Sequence, residues 1–182
     1  MIRKHGILHT SDQVTIDLAY SFAKHHHGDQ KRRYTNDPYI VHPVAVAQIV
    51  QTVTQNSAVI CAALLHDTIE DTPASFTDLF DHGFNMVIID LVVQLTDISK
   101  PEDGNRATRK AIDRNHLANS SANGATIKLA DMINNSQSIV KHDPKFAEVY
   151  MKEMSALLDV LRHGNKELYM KASDIVLAYY SS

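Results

Sequence analysis

The segment 62-AALLHDTIEDT-72 changes abruptly from apolar to ionisable side chains. Residues four apart share one face of a continuous helix, so the four ionisable groups form two stacked pairs. Burying that much charge without a partner is costly, which indicates that something binds it. Imidazole nitrogens and carboxylate oxygens are ligands for divalent metals such as Mn²⁺, Fe²⁺ and Zn²⁺. The candidate metal-binding and catalytic groups in this segment are His66, Asp67, Glu70 and Asp71.

Two further residues interrupt apolar helical patterns elsewhere in the chain. His42 lies at a predicted helix start before Pro43, and Asp131 lies within 128-KLADMINN-135. Taken singly, such a histidine is more often a core or capping residue, and such an aspartate is more often solvated. One shared metal site explains all the interruptions together, whereas separate structural roles must explain each one independently.

The elements that must position these residues are all predicted to be helices. Apolar residues recur three and four apart, and no window shows convincing period-two alternation. The fold class is therefore predicted to be all-α, with a single domain over 1–182 and about eight to ten helices. Predicted helices cover 11–27, 43–53, 56–70, 75–80, 84–96, 106–117, 125–140, 144–162 and 165–180. A basic loop, 28–38, separates the first two helices.

Composition excludes several classes of function. The net charge of −3 gives no basic footprint for nucleic acid, and no segment approaches the length of a membrane span. Cys61 is the only cysteine, so neither an internal disulfide nor a thiolate zinc cluster can form. The N-terminal residues show no secretory signal. We therefore expect a cytoplasmic protein with no nucleic-acid or membrane partner.

The succession His42, His66-Asp67 and Asp131 resembles the H…HD…D signature of HD-domain phosphohydrolases. That resemblance implies a single HD-domain helical bundle in which these residues bind a divalent metal. The resemblance extends over about residues 12–180. Within the HD-domain enzymes, the chain more specifically resembles the hydrolase domain of the RelA/SpoT alarmone enzymes. The motifs that carry the narrower resemblance are 38-PYIVHPVAVA-47, 63-ALLHDTIEDT-72 and 128-KLADMINN-135.

The resemblance also implies an activity, that of a stand-alone small alarmone hydrolase. Such enzymes hydrolyse (p)ppGpp at the 3′ position and release pyrophosphate and GDP or GTP, usually with Mn²⁺. In that family the ED pair, here Glu70 and Asp71, orients or deprotonates the attacking water. A guanine nucleotide is therefore the expected small-molecule partner.

Substrate contacts are carried over position by position. Arg32 matches the residue that packs on the guanine, and Arg33 completes that basic pair. Arg106 and Arg109 match a basic element that pairs with the pyrophosphate, although a solvated helix face explains them equally well. The residues that match nucleotide and ribose-phosphate contacts are Asn135 and Tyr150.

One position departs from the family pattern. Relatives often carry a phosphate-binding arginine where this chain has Phe146. That difference keeps a second enzyme hypothesis open, an HD-type phosphatase of another nucleotide such as NADPH. A catalytically silent nucleotide-binding module is the third hypothesis, and the presence of every metal position and of the ED pair argues against it. Homo-oligomerisation is left open by the sequence.

Overall fold

The computed structural model describes residues 10–181, and the predicted domain's first nine residues and Ser182 lie outside the described part. In this part the chain forms α-helices and one 3-10 turn at Pro101–Asp103. The described residues also contain an isolated antiparallel β-bridge between Lys31 and Pro38. The predicted all-α fold class is confirmed. The helices are α1 (Thr10–His27), α2 (Val41–Gln51), α3 (Ser57–Leu65), α4 (Thr68–Asp71), α5 (Phe76–Asp81), α6 (Met86–Leu95), α7 (Arg106–Leu117), α8 (Ala122–His142), α9 (Pro144–Val160) and α10 (Lys166–Ser181).

Helices α3 and α8 form the centre of the domain. α1, α2 and α6 pack on α3, while α2, α6, α9 and α10 pack on α8. Every side chain from Val59 to Leu65 is buried, as expected for a helix that is apolar on all faces. α7 packs on α9 and closes the remaining side. None of the described helices is long and apolar enough to cross a membrane.

Polar side chains fix several helix starts. Asn56 accepts a hydrogen bond from the Ala58 backbone N–H and caps α3. Ser75 and Asp78 form the predicted capping box of α5. These caps satisfy backbone donors that have no partner inside the helix, and each contributes about 1 kcal/mol. The starts of α3 and α5 therefore follow from the local sequence.

The predicted helix over 56–70 is wrong in its C-terminal part. α3 ends at Leu65, a turn follows at His66 and Asp67, and the short α4 then begins. Asp67 has φ −92° and ψ −6°, away from regular helix geometry. Consecutive residues of a regular helix do not face each other, so the turn is what allows His66 and Asp67 to point at one site.

Other boundaries differ by a few residues. α2 begins at Val41, so Pro43 and His42 both lie in its first turn. α8 begins at Ala122, earlier than predicted, because the Ser121 hydroxyl accepts from the Gly124 N–H and caps the helix. The added turn makes α8 the longest described helix that carries a candidate site residue.

Gly164, between α9 and α10, allows that connection to pack against α8. A Cβ on Gly164 would lie 2.8 Å from Leu129 Cδ1 and 3.1 Å from the carbonyl carbon of Ala125. Gly164→Ala is therefore expected to lower the free energy of unfolding by about 1–3 kcal/mol. Urea denaturation measures the change, and the exposed Lys166→Ala variant is the control, expected within about 0.5 kcal/mol of wild type. Equal stability of both variants would contradict the close packing.

Candidate metal centre and active site

Three parts of the chain bring two imidazoles and two carboxylates together. His42 comes from the first turn of α2, His66 and Asp67 from the turn after α3, and Asp131 from the middle of α8. His42 Nε2 lies 3.2 Å from Asp131 Oδ1 and 3.3 Å from Asp67 Oδ2. His66 Nε2 lies 3.1 Å from Asp67 Oδ1 and 3.7 Å from Asp131 Oδ1. The structure thus gathers all four predicted metal residues into one cluster.

The imidazole rings are oriented for a cation. His42 Nδ1 lies 2.7 Å from Asn134 Oδ1, and His66 Nδ1 lies 2.9 Å from the Ala63 carbonyl oxygen. Those oxygens can only accept, so both Nδ1 atoms donate and both Nε2 atoms face the cluster. His66 Nε2 is buried without a hydrogen-bond partner. Candidate ligand atoms of His42, His66 and Asp67 lie within 4.8 Å of one another, so these residues could hold a metal ion.

The imidazoles and carboxylates of the cluster stabilise each other's charged forms. Burial lowers the pKa of His42, but hydrogen bonds to Asp131 and Asp67 outweigh it and raise the pKa to about 9. Burial raises the pKa of Asp67, but the charge of His66 and the hydrogen bond from His42 hold it below its usual range. A bound cation would replace the imidazole protons, so metal affinity is expected to fall as the pH falls.

Neighbours one turn away on α8 hold Asp131 in place. Lys128 Nζ donates to Asp131 Oδ2 at 2.8 Å, and Asn135 Nδ2 donates to Oδ1 at 2.6 Å. Burial disfavours the charged carboxylate, but the Lys128 ammonium together with the His42 and His66 imidazoles outweighs it and keeps the pKa of Asp131 well below its usual value. Asp131 is therefore ionised and fixed with Oδ1 toward the two histidines.

Glu70 and Asp71 lie on α4 and face different neighbours. The Tyr39 hydroxyl lies 2.9 Å from Asp71 Oδ2 and 2.7 Å from Asp67 Oδ2. Glu70 Oε2 accepts a hydrogen bond from the Asp97 backbone N–H at 3.3 Å. Burial, followed by the charge of Asp97, raises the pKa of Glu70 to about 7, and burial also raises the pKa of Asp71. The ED pair therefore supplies carboxyl groups that bind a proton more readily than exposed ones.

Two adjoining cavities open beside the cluster. The first, of about 150 Å³, lies between α7, α8 and α9 and is lined by Asp131, Asn135 and Tyr150 among others. The second, of about 460 Å³, is lined by Glu70 and Arg109 among others. Both cavities share four lining residues, Asp97, Arg106, Lys110 and Asp113. A candidate metal ligand and a candidate catalytic carboxylate thus face neighbouring space.

The two arginines of the basic loop have different surroundings. Arg32 Nη2 donates to Asn135 Oδ1 at 2.9 Å, which places the guanidinium beside the cluster. The Arg33 side chain is 76 % exposed and lies 4.0 Å from Asp143, so the structure does not bring it to the cluster. Tyr150 lines the first cavity and donates from its hydroxyl to the Met132 carbonyl oxygen at 3.3 Å.

The two predicted arginines of α7 line the second cavity. Arg106 makes a two-pronged ion pair with Glu153, with N···O distances of 2.7 and 2.8 Å. Its guanidinium carbon lies 5.2 Å from the centroid of the Phe146 ring. Arg109 Nε is buried without a hydrogen-bond partner. The Arg106 side chain is 47 % exposed, so a solvated helix face still describes it, whereas the buried Nε of Arg109 does not fit that alternative.

Three residues of the site were missed by the sequence reasoning: Tyr39, Lys128 and Asn134. Tyr39 contacts two candidate site carboxylates, Lys128 pairs with Asp131, and Asn134 orients His42. Each lies inside a motif that was already recognised. Their spacing on the helix marks Lys128 and Asn134 as neighbours of Asp131, but no local signal marks Tyr39 as a partner of Asp67 and Asp71.

Comparisons with known proteins agree on one family. The HD domain family matches residues 19–163. The chain is 42% identical over 85 residues, 47% of this chain and 12% of the relative, to a guanosine-3′,5′-bis(diphosphate) 3′-pyrophosphohydrolase of Aquifex aeolicus. It is 33% identical over 155 residues, 82% of this chain and 21% of the relative, to the probable GTP diphosphokinase RSH3, chloroplastic, of Arabidopsis thaliana. The chain thus spans about a fifth or less of the length of these curated relatives.

A solved structure matches along the whole chain. It is that of a metazoan ortholog of SpoT described as hydrolysing ppGpp, with a TM-score of 0.81 and 26% identity. The alignment covers 98% of each chain. The structural similarity therefore extends beyond the segments that carry the motifs.

The candidate metal centre predicts metal-dependent stabilisation. A divalent ion at 100 times its dissociation constant stabilises the folded state by about 2.7 kcal/mol, which raises the melting temperature of a domain this size by about 5–10 °C. His66→Ala and the isosteric Asp131→Asn are expected to lose the bound ion and this shift. Metal content by plasma mass spectrometry and thermal unfolding measure both effects. His82→Ala, at an exposed histidine, is the control, and equal metal content in all three variants would contradict the assignment.

Proposed function

Because this chain belongs to the HD domain family, whose profile matches residues 19–163, we propose that it is a metal-dependent (p)ppGpp 3′-pyrophosphohydrolase. The proposed reaction cleaves the 3′-diphosphate and releases pyrophosphate with GDP or GTP. One observation carries the proposal: the His42, His66, Asp67 and Asp131 cluster lies beside two carboxylates in a chain that aligns end to end with a ppGpp-hydrolysing protein. We also propose that residues 1–182 act as one domain.

We propose Mn²⁺ as the resident metal, held by the four clustered residues. Two imidazoles and two carboxylates without a thiolate favour the harder divalent ions. When bound, the ion would lower the pKa of a water molecule and polarise a phosphate oxygen. The protein's part is to orient His42 through Asn134, His66 through the Ala63 carbonyl group and Asp131 through Lys128.

Glu70 and Asp71 are the proposed water-handling pair. Their carboxyl groups lie on the short helix α4, one turn beyond the HD pair. A carboxylate whose pKa is near 7 can accept a proton from water at neutral pH and return it later, which suits Glu70 for a general base. Asp71, tied to the Tyr39 hydroxyl, is suited to orient that water.

The nucleotide is proposed to bind along the first cavity. Arg32 presents a planar guanidinium beside Asn135, a geometry suited to stacking on guanine, while Asn135 and Tyr150 line the cavity wall. Arg106 and Arg109 then face the phosphates from the second cavity. Because Arg106 already pairs with Glu153, a phosphate group must compete with that carboxylate for the guanidinium.

A second candidate is an HD-type phosphatase of another nucleotide such as NADPH. The observation that favours it is local: Phe146 supplies no charge where relatives often carry an arginine, and its ring instead lies beside the Arg106 guanidinium. We expect this arrangement to lower the affinity of the site for the phosphate groups of ppGpp. A silent binding module is disfavoured, because the site groups are gathered and oriented.

The products distinguish these functions. With Mn²⁺, the wild-type chain is expected to release pyrophosphate from ppGpp and pppGpp, and not single phosphate from NADPH or nucleoside monophosphates. Glu70→Gln and Asp71→Asn are expected to reduce the rate by at least about 100-fold, in the range for loss of a general base, while metal content stays near wild type. Ion chromatography of the products and plasma mass spectrometry measure the two properties.

Phosphate released from NADPH alone would replace the first function with the second. Absence of turnover on the whole panel, despite bound metal, would support the silent module. Loss of the metal from Glu70→Gln or Asp71→Asn would make the ED pair ligands and would overturn their proposed role.

The pKa of Glu70 predicts a pH dependence. A general base acts only when ionised, and burial and the charge of Asp97 raise the pKa of Glu70 to about 7. The value of kcat/KM should therefore rise as the pH increases through about 7. Asp97→Asn removes a negative neighbour but keeps the backbone N–H that donates to Glu70, so this acidic limb should move to lower pH. An unmoved limb in a pH–rate profile would show that another group titrates.

A further inference from the structure

Tyr39 links the basic loop to the first turn of α2. Its backbone N–H donates to the Gln30 carbonyl oxygen at 2.9 Å, and its carbonyl oxygen accepts from the His42 N–H at 2.9 Å. The second bond joins Tyr39 directly to a residue of the metal cluster. The backbone of Tyr39 is thus held from both sides, which fixes the position from which its side chain extends.

The Tyr39 hydroxyl lies between two carboxylates with different proposed roles. It is 2.7 Å from Asp67 Oδ2, a candidate metal ligand, and 2.9 Å from Asp71 Oδ2, a proposed water-handling group. A phenol has one hydrogen to donate, so the two carboxylates compete for it or share it. Either way, the hydroxyl oxygen lies between the two carboxylate oxygens, within hydrogen-bond distance of each.

The ring of Tyr39 makes separate contacts. The guanidinium carbon of Arg32 lies 5.6 Å from its centroid, within the range of a cation–π interaction. The ring stacks on His27 with a centroid distance of 4.6 Å and meets the edge of His42 at 5.9 Å. Arg32 also donates to Asn135. The ring therefore supports the arginine that is proposed to stack on the base.

From these contacts, and resting on the proposed function, we propose that Tyr39 is a positioning residue that joins base recognition to water placement. Its hydroxyl sets Asp71 at the correct distance from Asp67, and its ring sets Arg32 against the nucleotide. A base that packs on Arg32 would press on the same ring whose hydroxyl holds both carboxylates. One side chain thereby couples the nucleotide end of the site to the reacting end.

Tyr34 supplies a matched control within the same loop. Its hydroxyl donates to Asp143 Oδ2 at 3.0 Å, and the guanidinium carbon of Arg33 lies 5.5 Å from its ring. Tyr34 therefore also has an arginine beside its ring and a carboxylate on its hydroxyl, but that single carboxylate belongs to Asp143, which caps α9 and is not part of the metal cluster. The effect of losing a tyrosine hydroxyl can therefore be compared between Tyr39, beside the metal cluster, and Tyr34, away from it.

The hydroxyl role is tested by Tyr39→Phe with saturating Mn²⁺. We expect kcat for pyrophosphate release to fall about 10–100-fold, the usual effect of losing a hydrogen bond that orients a metal ligand, and KM to change by less than about twofold. Tyr34→Phe should leave kcat within about twofold of wild type. A merely structural role would lower the melting temperature of Tyr39→Phe without this division between kcat and KM. Unchanged kcat in Tyr39→Phe would overturn the hydroxyl role.

The ring role is tested by calorimetric titration with GDP, which requires no turnover. Tyr39→Leu removes the ring and should weaken GDP binding about fivefold, the size of a modest cation–π contact, while Tyr39→Phe should bind GDP like wild type. Tyr34→Leu, the control, should also bind like wild type. Equal GDP affinity in Tyr39→Leu and wild type would overturn the ring role.

Failure of the proposed function gives a different pattern. If wild type releases no pyrophosphate, that function fails, and the hydroxyl role is decided by Mn²⁺ titration instead. Tyr39→Phe should then bind Mn²⁺ about tenfold more weakly than wild type, because Asp67 loses its hydrogen-bond donor, and Tyr34→Phe should not. Equal Mn²⁺ affinity in Tyr39→Phe and wild type would overturn the hydroxyl role independently of turnover.

Discussion

The fold depends on one arrangement of charge: two imidazoles and two carboxylates buried together among apolar helices. Isolated, each ionised group would be costly in that environment, and the cost is offset only when the groups lie within contact of opposite charge or of a cation. His42 and His66 meet that requirement by approaching Asp67 and Asp131 at 3.1–3.7 Å. Helices α2, α3 and α8 must therefore converge at one point, and the surrounding helices pack around that point.

The turn at His66 and Asp67 follows from the same requirement. Adjacent residues on a regular helix point in different directions, so an unbroken helix could give the cluster one of these side chains but not both. Ending α3 at Leu65 keeps its apolar side chains in the core and turns the next two residues toward a common point. The short α4 then carries Glu70 to the edge of the second cavity and Asp71 to the Tyr39 hydroxyl, which also contacts Asp67.

Charge is nearly balanced along the two cavities. Arg106 pairs with Glu153, Lys110 with Asp97, and Lys128 with Asp131. A phosphorylated ligand therefore enters a space in which these three cations already have partners, and its affinity for them depends on how far it outcompetes their carboxylates. Discrimination between phosphorylated nucleotides can arise from this competition as well as from the shape of the cavities. The uncharged ring of Phe146 lies in the same region, against the guanidinium of Arg106.

The sequence by itself determined the helical class, most helix positions and the four residues of the cluster. These features are local or carried by short motifs: apolar spacing, capping groups such as Asn56 and Ser75, and His or Asp interrupting an apolar run. Only the tertiary structure decided that the 56–70 helix breaks, that Arg106 pairs with Glu153 and that Tyr39 joins Asp67 to Asp71. The Tyr39 and Arg106 contacts join residues 28 to 47 positions apart, and the break of the helix turns His66 and Asp67 toward distant residues. No local pattern of the sequence encodes such contacts.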